Sequence, residues 1–259
     1  MKRPDLTDMP LLPRLGVNID HIATLRQLRG TPYPDLLEAA AICENSGATQ
    51  ITVHLREDRR HVQDADVVAL KKSLRCSLNF EMAVVPEILK FALKLQPDWA
   101  CLVPEKREEQ TTEGGLDVEK QGKKIEKTVS ALKKKGIRVS LFVEPSIAAV
   151  KTSKELGADA VEIHTGRYCM AAQGFFGPTK SETIRKKEFD RVLKSGMLAK
   201  SLGMGSHAGH GFDYQNVRSV VAADVFEEFN IGHAIVCRAA IVGLERAVRE
   251  MVLALHAPA

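Results

Sequence analysis

Histidines, carboxylates and arginines are concentrated in short clusters: GVNIDH (residues 16–21), ITVHLRED (51–58), NFEMA (79–83), CLVPEK (101–106), VEIHTG (161–166), SHAGHG (206–211) and NIGHA (230–234). In the first, Asn18, Asp20 and His21 set a carboxylate beside an imidazole. Such groups orient each other and can bind a substrate hydroxyl. Arg26 and Arg29 follow, and arginine clamps phosphate through a planar fork of donors. The run HLREDRRH brings His54, Arg56, Arg59, Arg60 and His61 together. That density favours anion binding, with His54 a candidate general base or metal ligand. Glu81 ends an apolar segment, where desolvation raises a carboxyl pKa toward the range useful for proton transfer unless cations offset it. A structural ion pair with Arg56 is its alternative role. SHAGHG and NIGHA each place a glycine where a helix N-terminus can meet an anion, with His210, Gly211, Gly232 and His233 as the candidate contacts. The combined chemistry is proton transfer beside an anion-binding wall.

These clusters end short apolar segments that alternate with helix-like stretches, which predicts a single (β/α)8 TIM barrel with its chemistry at the C-terminal rim of the strands. Strands are expected at 14–19, 50–55, 77–82, 99–103, 137–143, 159–164, 203–207 and 225–231. Helices are expected at 35–46, 64–74 (capped by Asp64), 86–95, 118–135, 146–156, 181–202, 213–223 and onward from His233. Residues 1–13, with three prolines, read as an extended arm, and 14–259 as the barrel domain. The stretches containing Pro32 and Pro34, TTEGGLD (111–117) and 165–182 read as loops, TTEGGLD as a mobile lid. Several strands alternate: Val17 and Ile19 against Asn18 and Asp20, Ile51 and Val53 against Thr52 and His54, Phe80 and Met82 against Asn79 and Glu81, Val161 and Ile163 against Glu162 and His164. Helices cover the outside of such a barrel, so the polar side must face inward, giving a polar lumen.

At 259 residues the chain has the size of one such barrel. A net charge of +4, with 37 basic and 33 acidic residues intermixed and 5% aromatics, lacks the concentrated basic stripe of a nucleic-acid binder. Lys133, Lys134, Lys135 and Arg138 read as a cationic helix end. The five cysteines are scattered without metal-type spacing and read as reduced. There is no apolar leader and no run of membrane-spanning length, so a cytoplasmic protein is expected.

The segments GVNIDHIATLR, ITVHLREDRRH, EMAV, CLVPEKR, TTEGGLDV, EIHTG, AGHG and NIGHAI together resemble the pyridoxine 5′-phosphate synthase family, the ring-closing enzymes of vitamin B6 synthesis. The resemblance runs from about residue 15 to 250, leaving residues 1–13 and 169–186 outside it. It implies a TIM-barrel transferase with additional helices that joins 1-deoxy-D-xylulose 5-phosphate to 3-amino-2-oxopropyl phosphate without a metal or organic cofactor, and an octamer built from dimers. It also implies proton-transfer roles for His54, Glu81 and His210. Pentulose-phosphate contacts would fall on Asn18, Asp20, His21, Arg29, Arg56, His61 and Thr111, and aminoketone-phosphate contacts on Gly211, Gly232 and His233. Glu162 lies in a matching motif. Two other functions remain open on the residues alone. One is a metal-dependent hydrolase using His21, His54, His164 or His210 with Asp20. The other is a non-catalytic phosphate-sugar binding protein.

Overall fold

A computed structural model describes residues 12–105 and 114–256. Eight parallel strands close into a barrel in sequence order: β1 Arg14–Asn18, β2 Gln50–His54, β3 Ser77–Ala83, β4 Trp99–Val103, β5 Arg138–Val143, β6 Ala160–His164, β7 Gly205–Gly209 and β8 Glu228–Ile231. Closure pairs Val17 of β1 with Ile231 of β8. Helices α1 Asp20–Gln27, α2 Leu36–Asn45, α3 Asp64–Ser73, α4 Pro86–Leu95, α5 Gly122–Lys133 and α6 Ile147–Glu155 follow the early strands. The later ones are followed by α7 Gly166–Ala172, α8 Pro178–Ser201, α9 Val217–Val221, α10 His233–Val242 and α11 Leu244–His256.

The alternation along the strands sets the two faces of the barrel wall. Val17, Ile51, Val53, Phe80, Met82, Val161, Ile163 and Phe229 are fully buried in the main core between sheet and helices. Each such side chain stabilises the fold by roughly 1.5–3 kcal/mol relative to exposure. The inward side is polar, as expected. Gln50 donates to Glu228 (2.8 Å), and Asn230 donates to Glu162 (2.8 Å) while accepting from Thr52 (3.3 Å). Asn79 reaches Thr52 (3.2 Å), and His207 sits 3.4 Å from Glu228. Polar groups removed from water need such partners. Cys101, Val103 and Phe142 form a small apolar cluster of their own, separate from the main core.

The structure corrects the sequence reading in four places. Residues 20–27 are helical, because Ile22 and Ala23 bury one side of α1 and Asp20 stands in its favourable first turn. The stretch 165–182 contains α7, whose Tyr168, Cys169 and Ala171 are buried. Gln63, not Asp64, is the N-cap of α3, and Asp66 closes the turn by accepting the Gln63 N–H (2.8 Å). The C-terminal helix is two helices, divided at Gly243 in a left-handed conformation (φ 87°) that a residue with a side chain rarely adopts.

Gly115, just before α5, passes so close to the backbone of Val143 and Glu144 that a Cβ would overlap it. Gly115→Ala is therefore expected to destabilise the fold by about 1–3 kcal/mol, the usual cost of overpacking, read as a lowered midpoint in denaturant unfolding.

Candidate active site

The C-terminal ends of the strands open into one cavity of about 710 Å³. Its floor carries Asp20, His54 and Glu81, whose ligand atoms all lie within 4.8 Å of one another. The fold brings them together through register: His54 of β2 is the lateral neighbour of Glu81 on β3. Asn18 places Asp20, donating to its Oδ2 (3.0 Å) while its own Oδ1 accepts the Asp20 N–H (2.9 Å). Asp20 Oδ1 in turn accepts the His54 backbone N–H (2.9 Å). A nitrogen and two carboxylates so close together could share a divalent cation, the donor set a metal-dependent reading would need.

Burial raises the Glu81 carboxyl well above its usual range, and the negative charges of Asp20 and Glu162 push it further, against a hydrogen bond from Asn18. Glu162 is raised as well, by burial and by Glu228, with His207 and Asn230 opposing. Two carboxyls with raised pKa in one cavity can hold protons at neutral pH and exchange them.

The second wall comes from the turn after β2. Asp58 receives both nitrogens of the Arg56 fork (3.1 and 3.3 Å) and Nε of Arg60 (2.8 Å). Burial works against ionisation of Asp58, but these two guanidinium groups outweigh it and hold the carboxyl well below its usual range. Arg56, Arg60 and His61 line the cavity, the two guanidinium groups already oriented by Asp58. Glu105, on the loop after β4, lies 3.5 Å from Nε2 of His54 and 3.7 Å from Arg56. Burial would raise this carboxyl, yet contact with His54 and the Glu57 N–H holds it below its usual range.

The third wall is the expected phosphate side. Gly211 follows β7, and Gly232 caps α10, which begins at His233. A Cβ on Gly232 would approach the Asn18 carbonyl oxygen to 2.8 Å, so the close passage of the two backbones requires glycine. His21 and His233 meet edge to face (5.2 Å between rings). His210 completes this wall in a left-handed backbone conformation (φ 75°), uncommon for a residue with a side chain. Burial and the neighbouring His164 and His233 push its pKa down to about 4.

A neutral His210 is therefore the resting form. Ring-proton NMR should find its titration midpoint near 4, and added inorganic phosphate should move that midpoint upward, because an adjacent anion favours the imidazolium. The lowered pKa also means that the contribution of this neutral ring to folding is lost as the pH falls from 6.5 toward 4.

Of the residues expected from sequence, Asn18, Asp20, His21, His54, Arg56 and His61 line this cavity, as do Glu81, Glu162, His210, Gly211, Gly232 and His233. Arg29 does not: it is exposed on the turn after α1. Thr111 lies outside the described residues, as does the first part of TTEGGLD. Arg26, read as a phosphate clamp, instead spends its fork on Asp66 (2.8 and 2.6 Å), tying α1 to α3. Sequence reasoning left out Thr24, Phe142, Gln173 and Asn230, all of which line the cavity. Asn230 and Phe142 were detectable by strand alternation, whereas Gln173 follows α7, a helix hidden in an apparent loop.

A parallel eight-stranded barrel with histidines, carboxylates and arginines gathered in one cavity at the C-terminal rim has the architecture of a TIM-barrel enzyme. Solved structures agree on the fold. The 3-keto-L-gulonate-6-phosphate decarboxylase of Vibrio cholerae superposes with a TM-score of 0.62 over 93% of this chain and 97% of that one, at 13% identity. The profile of the family described as pyridoxal phosphate biosynthesis protein PdxJ matches residues 15–257. The pyridoxine 5′-phosphate synthase of Syntrophotalea carbinolica is 50% identical over 92% of this chain and 96% of its own length. That of Trichlorobacter lovleyi is 48% identical over 95% and 100%. The chain belongs to the PdxJ family.

Proposed function

We propose that this protein condenses 1-deoxy-D-xylulose 5-phosphate with 3-amino-2-oxopropyl phosphate to form pyridoxine 5′-phosphate, inorganic phosphate and water. The observation that carries this reading is the meeting of His54, Glu81 and His210 in one cavity between an arginine-lined wall and a glycine-lined helix start.

The amine of one substrate attacks the ketone of the other, and loss of water gives an imine. His54 and Glu81, side by side on the floor, move the protons that convert it to an enamine and assist loss of phosphate from the pentulose part. Hydration and aldol-type closure then build the ring, and a last dehydration makes it aromatic. Each step moves a proton at carbon or oxygen, so groups with pKa values near neutrality are needed. Glu81 and Glu162 are raised toward that range. His210 starts neutral and becomes a donor when a bound phosphate ester raises its pKa. Arg56 and His61 hold the pentulose phosphate, and the Gly211, Gly232 and His233 side holds the aminoketone phosphate, with Asn18, Asp20 and His21 at the hydroxyls. Arg29, exposed away from this cavity, would serve the site of a neighbouring subunit in the octamer, built from dimers, that the family resemblance implies. No helix among the described residues is long and apolar enough to cross a membrane, which fits a cytoplasmic enzyme.

Incubating the protein with both substrates, with and without a chelator, tests the reading. Pyridoxine 5′-phosphate and one phosphate per turnover in both arms are expected. Activity lost on chelation would favour metal chemistry at Asp20, His54 and Glu81. Phosphate binding with no product in either arm would leave a sugar-phosphate binding protein.

A further inference from the structure

Behind His210 lies a carboxylate–imidazole pair to which the mechanism above gives no role. His164, at the end of β6, points Nδ1 at Oε1 of Glu144, just past β5 (3.0 Å). The same oxygen accepts the Gly115 N–H (2.9 Å). Hydrogen bonding from His164 outweighs burial and holds Glu144 below its usual range, with Gly115 and Arg191 assisting. An ionised oxygen that already receives one N–H can only accept from the imidazole, so His164 carries a proton on Nδ1. The other ring nitrogen, Nε2, is buried without a hydrogen-bond partner among the described residues.

The ring so fixed packs on His210 (5.0 Å between centroids), and Phe142 lies edge-on to both. Gly166 leaves room for this pairing: a Cβ there would come within 2.7 Å of His164 Nε2 and 2.9 Å of the His210 ring. The His210 carbonyl is held by Thr165 Oγ1 (2.7 Å) and approached by Cys169 Sγ (3.7 Å). The charged and titratable groups acting on His210 are His164, His233 and Glu144.

We propose that Glu144 is a positioning residue that fixes the tautomer and orientation of His164, and through it the placement of the His210 ring at the cavity wall. The inference rests on reading the cavity as the site of the proposed condensation. A carboxylate that locks a histidine tautomer is a recurrent way to hold an imidazole for proton transfer. Neither Glu144 nor His164 lines the cavity, so both act through His210.

Two variants and two readouts test this. Side-chain 1H–15N correlation spectra of the native protein should show His164 as the Nδ1–H tautomer. Glu144→Ala should lose that tautomer and lower kcat about tenfold or more with little change in KM, the usual size of an effect from a partner behind a functional imidazole. Glu144→Gln should retain the tautomer, because the Gly115 N–H selects the amide oxygen for that position, and should recover most of kcat. His164 protonated on Nε2 in the native protein, or native kcat in Glu144→Ala, would overturn the proposal. So would Glu144→Gln as slow as Glu144→Ala with its tautomer retained. If the native protein makes no product, the condensation reading fails, and the tautomer comparison alone decides the role of Glu144.

Discussion

Glu81→Gln is expected to fold, to bind both phosphorylated substrates, and to lose turnover by roughly 10²–10⁴-fold, the range for removal of a positioned general acid or base. The amide has the shape of the protonated acid but cannot exchange a proton at neutral pH. The same environment predicts a stability gain. Burial, then Asp20 and Glu162, raise the folded-state pKa of Glu81 above 4.5. Between that value and the raised one, the folded chain binds more protons than the unfolded chain, so stability falls as the pH rises through this window. Glutamine has no such dependence. In denaturant titrations the variant should therefore exceed the native protein above the raised pKa, and the difference should vanish below 4.5. Native turnover in Glu81→Gln would remove this carboxyl from the mechanism. A lost activity without the pH-dependent stability gain would mean that Glu81 is not held protonated by its neighbours.

His54→Asn carries the second large effect, a fall in kcat of about 10²–10⁴-fold. His54 is 4% exposed, its backbone N–H is held by Asp20, and its imidazole stands between Glu81 and Glu105. Asparagine keeps a polar group and the backbone contact while removing the imidazole. If His54 and Glu81 serve the same proton transfers, the double variant His54→Asn, Glu81→Gln should be no slower than the slower single variant, since groups acting as a unit are strongly non-additive. Multiplying losses would mean that the two act in separate steps.

Much of this architecture was legible in the residues. The alternation of Val17, Ile51, Val53, Phe80 and Met82 with Asn18, Thr52, His54, Asn79 and Glu81 is local, and in a barrel wrapped by helices it leaves only one inward face. The clusters that end those strands accordingly met in one cavity. Helices α1 and α7 were obscured because residues serving the cavity or its rim, Asp20, His21 and the Gly166 turn, interrupt the apolar periodicity by which a helix is read. Arg26 and Arg29 show the same limit at the level of a side chain. Both stand near the first cluster, but the turn of α1 sends one to Asp66 and leaves the other exposed.

The sequence by itself thus determined the repeating strand–helix plan, the polar lumen and the inventory of acid–base and anion-binding groups, because each depends on residue type and short-range periodicity. Only the tertiary structure decided which groups face each other. The pairings His54 with Glu105, Asn230 with Glu162, and Glu144 with His164 join residues 20 to 68 positions apart. They exist because barrel register and closure bring those strand ends together, and no local pattern encodes that geometry. The raised carboxyls of Glu81 and Glu162 and the lowered imidazole of His210 follow from the same enclosure, since it is burial beside particular charges that moves them.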